Sequence, residues 1–210
     1  MAKNVQFLAL TGAGISKASG IPTFQEMPEL KEKLTVEYRS HQRRENFKKV
    51  LDQLRDTVTG HKPNAAHKAL AKHDIPIVTM NVDGLHQKAG SGIVVECHGN
   101  AAENTVVLYG EKAAYDVAYN LLNMLSANAE VENKKKVLLV IGTSYQTQFA
   151  QEFVCRAMAD NWKIVDIHED AEHRVEQAIQ KECALANGEK KRTLIVTKND
   201  AGNIVIHKGE

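Results

Sequence analysis

Short apolar runs rich in Val, Ile and Leu recur along this chain with helical stretches between them. That recurrence limits the fold more than any other feature, because apolar periodicity is the primary signal of secondary structure. The runs read as strands at 6–11 (QFLALT), 75–81 (IPIVTMN), 93–99 (IVVECHG), 105–110 (TVVLYG), 137–143 (VLLVIGT) and 163–168 (KIVDIH). Several carry consecutive apolar residues, as strands covered by helices on both faces do. Between them, 111–128 sets Ala114, Ala118, Leu121, Leu122 and Leu125 on one helical stripe. The stretches 148–158 and 171–183 also read as helices, the latter behind Asp170 as N-cap. Strands alternating with helices imply an α/β fold with a mostly parallel sheet.

Two regions depart from that alternation. The stretch 26–73 holds no convincing strand and reads as a helical insertion, cut by Pro28 and by Gly60 and Pro63. Near the end, 193–198 and 203–208 flank Asn199-Asp-Ala-Gly202, which signals a β-hairpin. The lysine run 134–136 reads as a solvated turn before a buried strand.

Composition narrows the function classes. Of 210 residues, 43% are hydrophobic and 25% charged, the balance of a globular domain and not of a disordered or fibrous chain. A formal net charge of +1 offers no broad attraction for nucleic acid or a membrane surface. Three cysteines (Cys97, Cys155, Cys183), none in a C-x-x-C pair, exclude a disulfide framework and a four-cysteine zinc ribbon. The start reads as no signal peptide, and no run reaches the ~18 apolar residues of a membrane span. The expectation is a soluble, cytoplasmic protein.

Four clusters can carry chemistry. The first strand runs into Gly12, Ala13 and Gly14, where glycines let backbone N–H groups approach a ligand and a helix N-terminus favours a diphosphate. Lys17 breaks the general G-x-G-x-x-G fingerprint, so a glycine-rich turn without a ligand stays open as an alternative. Asn81 and Asp83 follow the second run, at the carboxyl end of a strand where open α/β sheets bind ligands. An Asn side chain offers donor and acceptor together and suits a carboxamide, while Asp accepts from N–H groups. Asp83 suits an Asx cap just as well, and His86 reads as a surface or packing residue. His98 ends the third run, either as a general base near neutral pH or as a merely hydrogen-bonded histidine, with Cys97 turned into the core. Gly142, Thr143 and Ser144 end the fifth run, facing a ribose or forming a plain strand exit.

In order, these clusters resemble the sirtuin family of NAD-dependent protein deacylases. GAGISKASGIPTF (12–24) resembles its nucleotide loop, PNAAHKAL (63–70) the helix leading to the next motif, and NVDGLHQKAGS with HGN (81–91, 98–100) its core signature. VVLYGE (106–111) and VIGTS (140–144) are similar to its later landmarks, so the resemblance spans roughly 5–169. It implies a Rossmann-like doubly wound domain over 1–190 with the insertion inside it; the hairpin has no counterpart in the resemblance and reads as an extension over 191–210. It implies NAD as cosubstrate and an acyl-lysine protein or peptide as partner; charge and composition point to no nucleic acid or membrane partner, and oligomeric state is unread. Ala13, Ile15 and Ser16 would touch the diphosphate and nicotinamide region, beside Gly12, Gly14, Phe24 and Gln25. Asn81 and Asp83, with Val82 between them, would hold the carboxamide and ribose. His98 would be the general base on a ribose hydroxyl. Gly142, Thr143, Ser144 and His168 would line the adenosine side. The reaction so implied has the acyl oxygen expel nicotinamide from C1′, then a His98-activated hydroxyl attack the acyl carbon, and finally water release the amine and O-acyl-ADP-ribose.

Three departures stand out. Only residues 101–105 lie between HGN and VVLYGE, where the family carries four zinc-binding cysteines, so the zinc subdomain is expected to be absent and no zinc is expected. Gln25 stands where the family has Arg, removing a bidentate charged contact. Met80 stands where it has Gln and His168 where it has Asn, each a lost hydrogen bond worth about 0.5–1.5 kcal/mol. Two other readings follow from these losses: NAD hydrolysis or ADP-ribosyl transfer, and a catalytically weak module that binds NAD or ADP-ribose.

Overall fold

The computed structural model describes residues 4–111, 113, 115–188, 194–198 and 204–208. Its centre is a five-stranded, all-parallel sheet in the order β3-β2-β1-β4-β5. In chain order the elements are β1 (Val5–Thr11), a 3₁₀ helix (Ala13–Ser19), α1 (Pro28–Lys33), α2 (Val36–Ser40), α3 (Arg44–Val58) and α4 (Ala65–Lys72). Next come β2 (Ile77–Thr79), α5 (Leu85–Lys88), β3 (Val94–Glu96), α6 (Asp116–Val131), β4 (Lys135–Ile141), α7 (Gln148–Ala159), β5 (Lys163–Ile167) and α8 (Ala171–Ala186). A separate antiparallel pair, β6 (Leu194–Lys198) with β7 (Ile204–Lys208), bears out the hairpin; its turn at 199–203 lies outside the described residues.

The period of a strand decides the two layers. Phe7, Ala9, Val137, Leu139 and Ile141 point to one face and pack with Leu70, Val175 and Ile179 of α4 and α8. Leu8, Leu10, Leu138 and Val140 point to the other and pack with Leu122, Leu125, Phe149 and Phe153 of α6 and α7. Both faces are therefore dry, which explains the unbroken apolar runs. The insertion makes a third core, with Leu30, Leu34, Phe47, Val50 and Leu54 closing over Val82, Leu85 and Leu108.

Three expectations change. Residues 105–110 form no strand beyond an isolated bridge between Tyr109 and Thr35. The sheet ends at β3, and the segment bonds elsewhere: Val107 N–H to the His98 carbonyl at 2.9 Å and Tyr109 N–H to the Leu34 carbonyl at 2.9 Å. Lys135 and Lys136 are not a turn but the start of β4, paired with Val5 and Gln6. The Lys136 ammonium is nearly buried between Glu130 and Asp160, each at 3.1 Å, which lets a lysine enter the sheet. Helix α6 begins at Asp116 and not at 111; Ala114 lies outside the described residues, while Ala118, Leu121, Leu122 and Leu125 are buried as the stripe requires.

Leu139 is fully buried in the interior strand β4, so Leu139→Ala is expected to cost about 2–5 kcal/mol of unfolding free energy in urea. Met124, half exposed on α6, serves as control: Met124→Ala is expected to change stability by less than about 0.5 kcal/mol.

Candidate functional site

The carboxyl ends of β1 and β4 are locked together before any ligand is considered. Gly12 N–H donates to the Ile141 carbonyl and Gly14 N–H to the Gly142 carbonyl, both at 2.9 Å. A Cβ on Gly12 would lie 2.7 Å from the Gly142 oxygen, and one on Gly142, at φ +61°, only 2.2 Å from the Ile15 nitrogen. These glycines are needed for backbone-on-backbone packing. The N–H groups at 12 and 14 are spent on β4 and do not face a ligand, unlike the expectation from sequence; Ala13, between them, lines the cleft.

Above this lock opens a cleft of about 670 Å³, within the range of cofactor sites. Its walls include Gly12, Ala13, Gly14, Ile15, Phe24, Gln25, Asn81, His98, Gly142, Thr143, Ser144 and His168, so twelve of the expected residues converge there. Ser16 and Asp83 lie behind the wall, nearly buried, and Val82 lines the adjoining cavity. Sequence reading missed Lys17, Lys31, Tyr145 and Thr147, which also line it. Lys17, the residue that breaks the dinucleotide fingerprint, brings a cation to the rim, where it pairs with Glu26 at 3.1 Å. The far rim is acidic, formed by Glu169, Asp170 and Glu172. There the Tyr145 hydroxyl donates to Asp166 at 2.7 Å, and His168 meets the same carboxylate oxygen at 3.1 Å. Asp170 precedes α8 but makes no capping bond, since its backbone is left-handed (φ 54°) and its carboxylate pairs with His173 at 2.5 Å.

Asp83 is held from two sides. Its Oδ1 accepts the Leu85 N–H at 2.9 Å, the Asx cap, and its Oδ2 accepts the Ser16 hydroxyl at 2.7 Å. Asn81 Nδ2 reaches the Gly12 carbonyl at 3.1 Å and Ser16 Oγ at 3.3 Å. Asn64 caps α4 and donates to the Ile15 carbonyl at 2.7 Å, while His67 Nδ1 donates to Asn64 Oδ1 at 3.0 Å. Of the two roles open to His86, the packing one holds: it is buried, bonds Thr11 Oγ1 at 3.0 Å and lies 4.8 Å from the His67 ring. Burial pushes His86 down to about 3 and holds His67 well below the usual imidazole value, with Asp83 opposing the fall at His67.

His98 stands at the end of the stretch that β3 begins, immediately before Gly99. That glycine has φ +76°, and a Cβ there would lie 1.9 Å from the Thr105 carbonyl oxygen. The Met80 carbonyl, 3.1 Å from Nδ1, can only accept, so Nδ1 carries the proton. Nε2 therefore presents its lone pair, 3.2 Å from the Tyr115 hydroxyl. Burial lowers the His98 pKa and keeps the ring neutral, with the Met80 carbonyl pulling the other way. A neutral imidazole with a fixed tautomer and a lone pair on Nε2 has the form of a general base.

A second cavity of about 640 Å³ meets the first at Phe24, Met80, His98, Tyr109 and Thr147. It is walled by Val106, Leu108, Tyr115 and Phe149, apolar groups suited to an aliphatic or acyl chain. The buried Thr143 hydroxyl on the cleft wall has no partner among the described residues, an orphan that a ribose or phosphate oxygen would satisfy; the donor set fits a dinucleotide. The cysteines do not fit a zinc site. Cys97 is in the core, Cys155 is exposed on α7 and Cys183 stands on α8.

Residues 12–130 match the sequence model described as the Sir2 family. The chain is 42% identical over 108 residues to an NAD-dependent protein deacylase of Aquifex aeolicus, covering 47% of this chain and 45% of that one. It is 26% identical over 207 residues to an NAD-dependent protein deacetylase of Staphylococcus epidermidis, covering 77% and 81%. The chain spans less than half the length of the first four curated relatives it matches. Among solved structures, a Sir2 homolog–NAD complex superposes with TM-score 0.69 at 22% identity, covering 88% of this chain and 92% of that one. A Sir2 bound to acetylated peptide gives 0.67 at 22%, covering 89% and 95%. These likenesses show the fold.

Because His67 and His86 are neutral when folded and protonate near pH 6.5 when unfolded, the unfolded chain takes up the protons first. Stability is complete above about pH 6.5 and falls below it, by up to about 1.4 kcal/mol per pH unit for each histidine. Urea unfolding at pH 7 and pH 5 is expected to show this loss; equal stability at the two values would rule out the buried neutral pair.

Proposed function

This chain belongs to the Sir2 family, and from the site it builds we propose that it removes acyl groups from lysine side chains with NAD as cosubstrate, releasing nicotinamide and O-acyl-ADP-ribose. The observation that carries the reading is His98 at the junction of two cavities, its Nε2 lone pair turned inward and its tautomer fixed by the Met80 carbonyl. One cavity has the polar, glycine-floored lining of a dinucleotide site, and the other the aromatic lining of an acyl-lysine channel. NAD supplies the electrophilic C1′ and the leaving group.

The chain's own residues do the rest. Thr143, Ser144 and His168 take the adenosine side, where hydroxyl and imidazole groups meet the ribose. Ala13, Ile15 and the Lys17 ammonium take the diphosphate side, where a cation offsets phosphate charge. Asn81 faces the carboxamide, while Ser16 and Asp83 hold Asn81 in place from behind. His98 accepts the proton of a ribose hydroxyl at Nε2 as that oxygen attacks the acyl carbon. Preorganised dipoles in a cleft that excludes water stabilise the cationic ribose more than mobile solvent would.

The purified protein is expected to release nicotinamide from NAD when a mixed pool of acyl-lysine peptides is present, and His98→Ala to release O-acyl-ADP-ribose at least about 100-fold more slowly. Nicotinamide release that ignores the peptides would favour the hydrolase or ADP-ribosyltransferase reading. Saturable NAD binding without release would favour a binding module, the reading that Met80 and Gln25 on the cleft wall support.

The proposal includes a cytoplasmic, zinc-free enzyme whose catalytic domain is 1–190, with 191–210 as an extension; no helix among the described residues is long and apolar enough to cross a membrane. A chain cut after residue 190 is expected to bind NAD as the full chain does, with no stoichiometric zinc in either by elemental analysis. Zinc at one equivalent, or loss of binding on truncation, would refute the corresponding part.

A further inference from the structure

We propose that Tyr115 determines acceptor specificity at this site: its hydroxyl occupies Nε2 of His98 until an acyl-lysine side chain enters the second cavity and displaces it. The inference rests on His98 as the general base and adds the residue that decides when the base is available.

Geometry carries it. Tyr115 Oη lies 3.2 Å from Nε2, and Nδ1 is engaged with the Met80 carbonyl, so the phenol is the donor and Nε2 the acceptor. Burial raises the Tyr115 pKa, which keeps the phenol protonated and able to donate. Its ring stacks on Phe149 at 4.1 Å between centroids and 17° between planes, and Phe149 is buried in α7. The ring therefore sits against a fixed wall, with its hydroxyl directed at the one open nitrogen of His98.

The two cavities differ at this residue. His98 lines both, but Tyr115 lines only the second. A ligand that fills the dinucleotide cleft alone does not meet Tyr115 and leaves Nε2 capped. A side chain entering the second cavity shares its wall with the Tyr115 ring and competes for the space beside His98. The capped base cannot assist water. In that leak a water oxygen bonds to C1′, the C1′–nitrogen bond breaks, nicotinamide leaves with the electron pair, and the water proton passes to Nε2. Tyr115 suppresses this route while leaving acyl transfer open.

The test is Tyr115→Phe in the full chain, which keeps the stack on Phe149 and removes only the hydroxyl. The first readout is the ¹⁵N shift of His98 Nε2. In the parent protein it is expected to be that of a hydrogen-bonded nitrogen, unchanged by NAD and altered by an acetyl-lysine peptide. In Tyr115→Phe it is expected to be that of a free nitrogen from the start. The second readout is nicotinamide release without peptide relative to release with it, expected to rise about threefold to tenfold, the worth of one neutral hydrogen bond. A variant with an unchanged Nε2 shift, or with an unchanged or lower ratio while the parent remains peptide-dependent, would overturn this proposal alone. A parent protein that releases no nicotinamide with any peptide would instead overturn the deacylase reading, and this inference with it.

Discussion

The exits of β1 and β4 approach so closely that no side chain fits between them, and the site depends on that approach. Gly14 N–H to the Gly142 carbonyl at 2.9 Å joins two segments far apart in sequence, and Gly12 and Gly142 leave room for it. The join sets the floor of the cleft, and from it the 3₁₀ helix projects Ile15 and Ser16 toward Asn64, Asn81 and Asp83. A glycine-rich loop here acts first as a joint between strands. Any contact it makes with a cosubstrate builds on a geometry already closed by backbone hydrogen bonds.

Behind the floor lies a buried polar layer that never reaches the cleft. Thr11, Ser16, Asn64, His67, Asp83 and His86 exchange hydrogen bonds among themselves, and nearly all their polar atoms are satisfied. Such a layer costs desolvation, yet it fixes Asn81 and the loop around it more tightly than apolar packing would, because hydrogen bonds have direction. The neutral His67 and His86 fit this: a charged imidazole at either place would have no carboxylate to itself, since Asp83 already accepts from Ser16 and Leu85.

Much of this was legible in the residues. The runs at 6–11 and 137–143 carry apolar side chains on both faces, so a central strand was readable without coordinates. Asn81, His98, Thr143 and Ser144 follow such runs, and a strand end in a parallel sheet is where ligands meet the protein. The run at 105–110 misled because β-rich composition reports a side-chain preference, whereas pairing needs a free sheet edge in register. There the chain had just reversed at Gly99, and its N–H groups found His98 and Leu34 instead. His86, open between a surface and a packing role, was decided by Thr11, 75 positions earlier, which bonds it in the interior.

By itself, the sequence determined the layered α/β architecture, the nucleotide-type loop and the candidate base, because each rests on local periodicity or on a residue at a strand end. Only the tertiary structure decided that Ser16 and Asp83 stand behind the cleft, that Lys17 faces it, and that Tyr115 touches His98 across 17 residues. Those relations depend on how separate segments approach in space. Chain-local preferences are indifferent to that distance, and hydrogen-bond geometry is acutely sensitive to it.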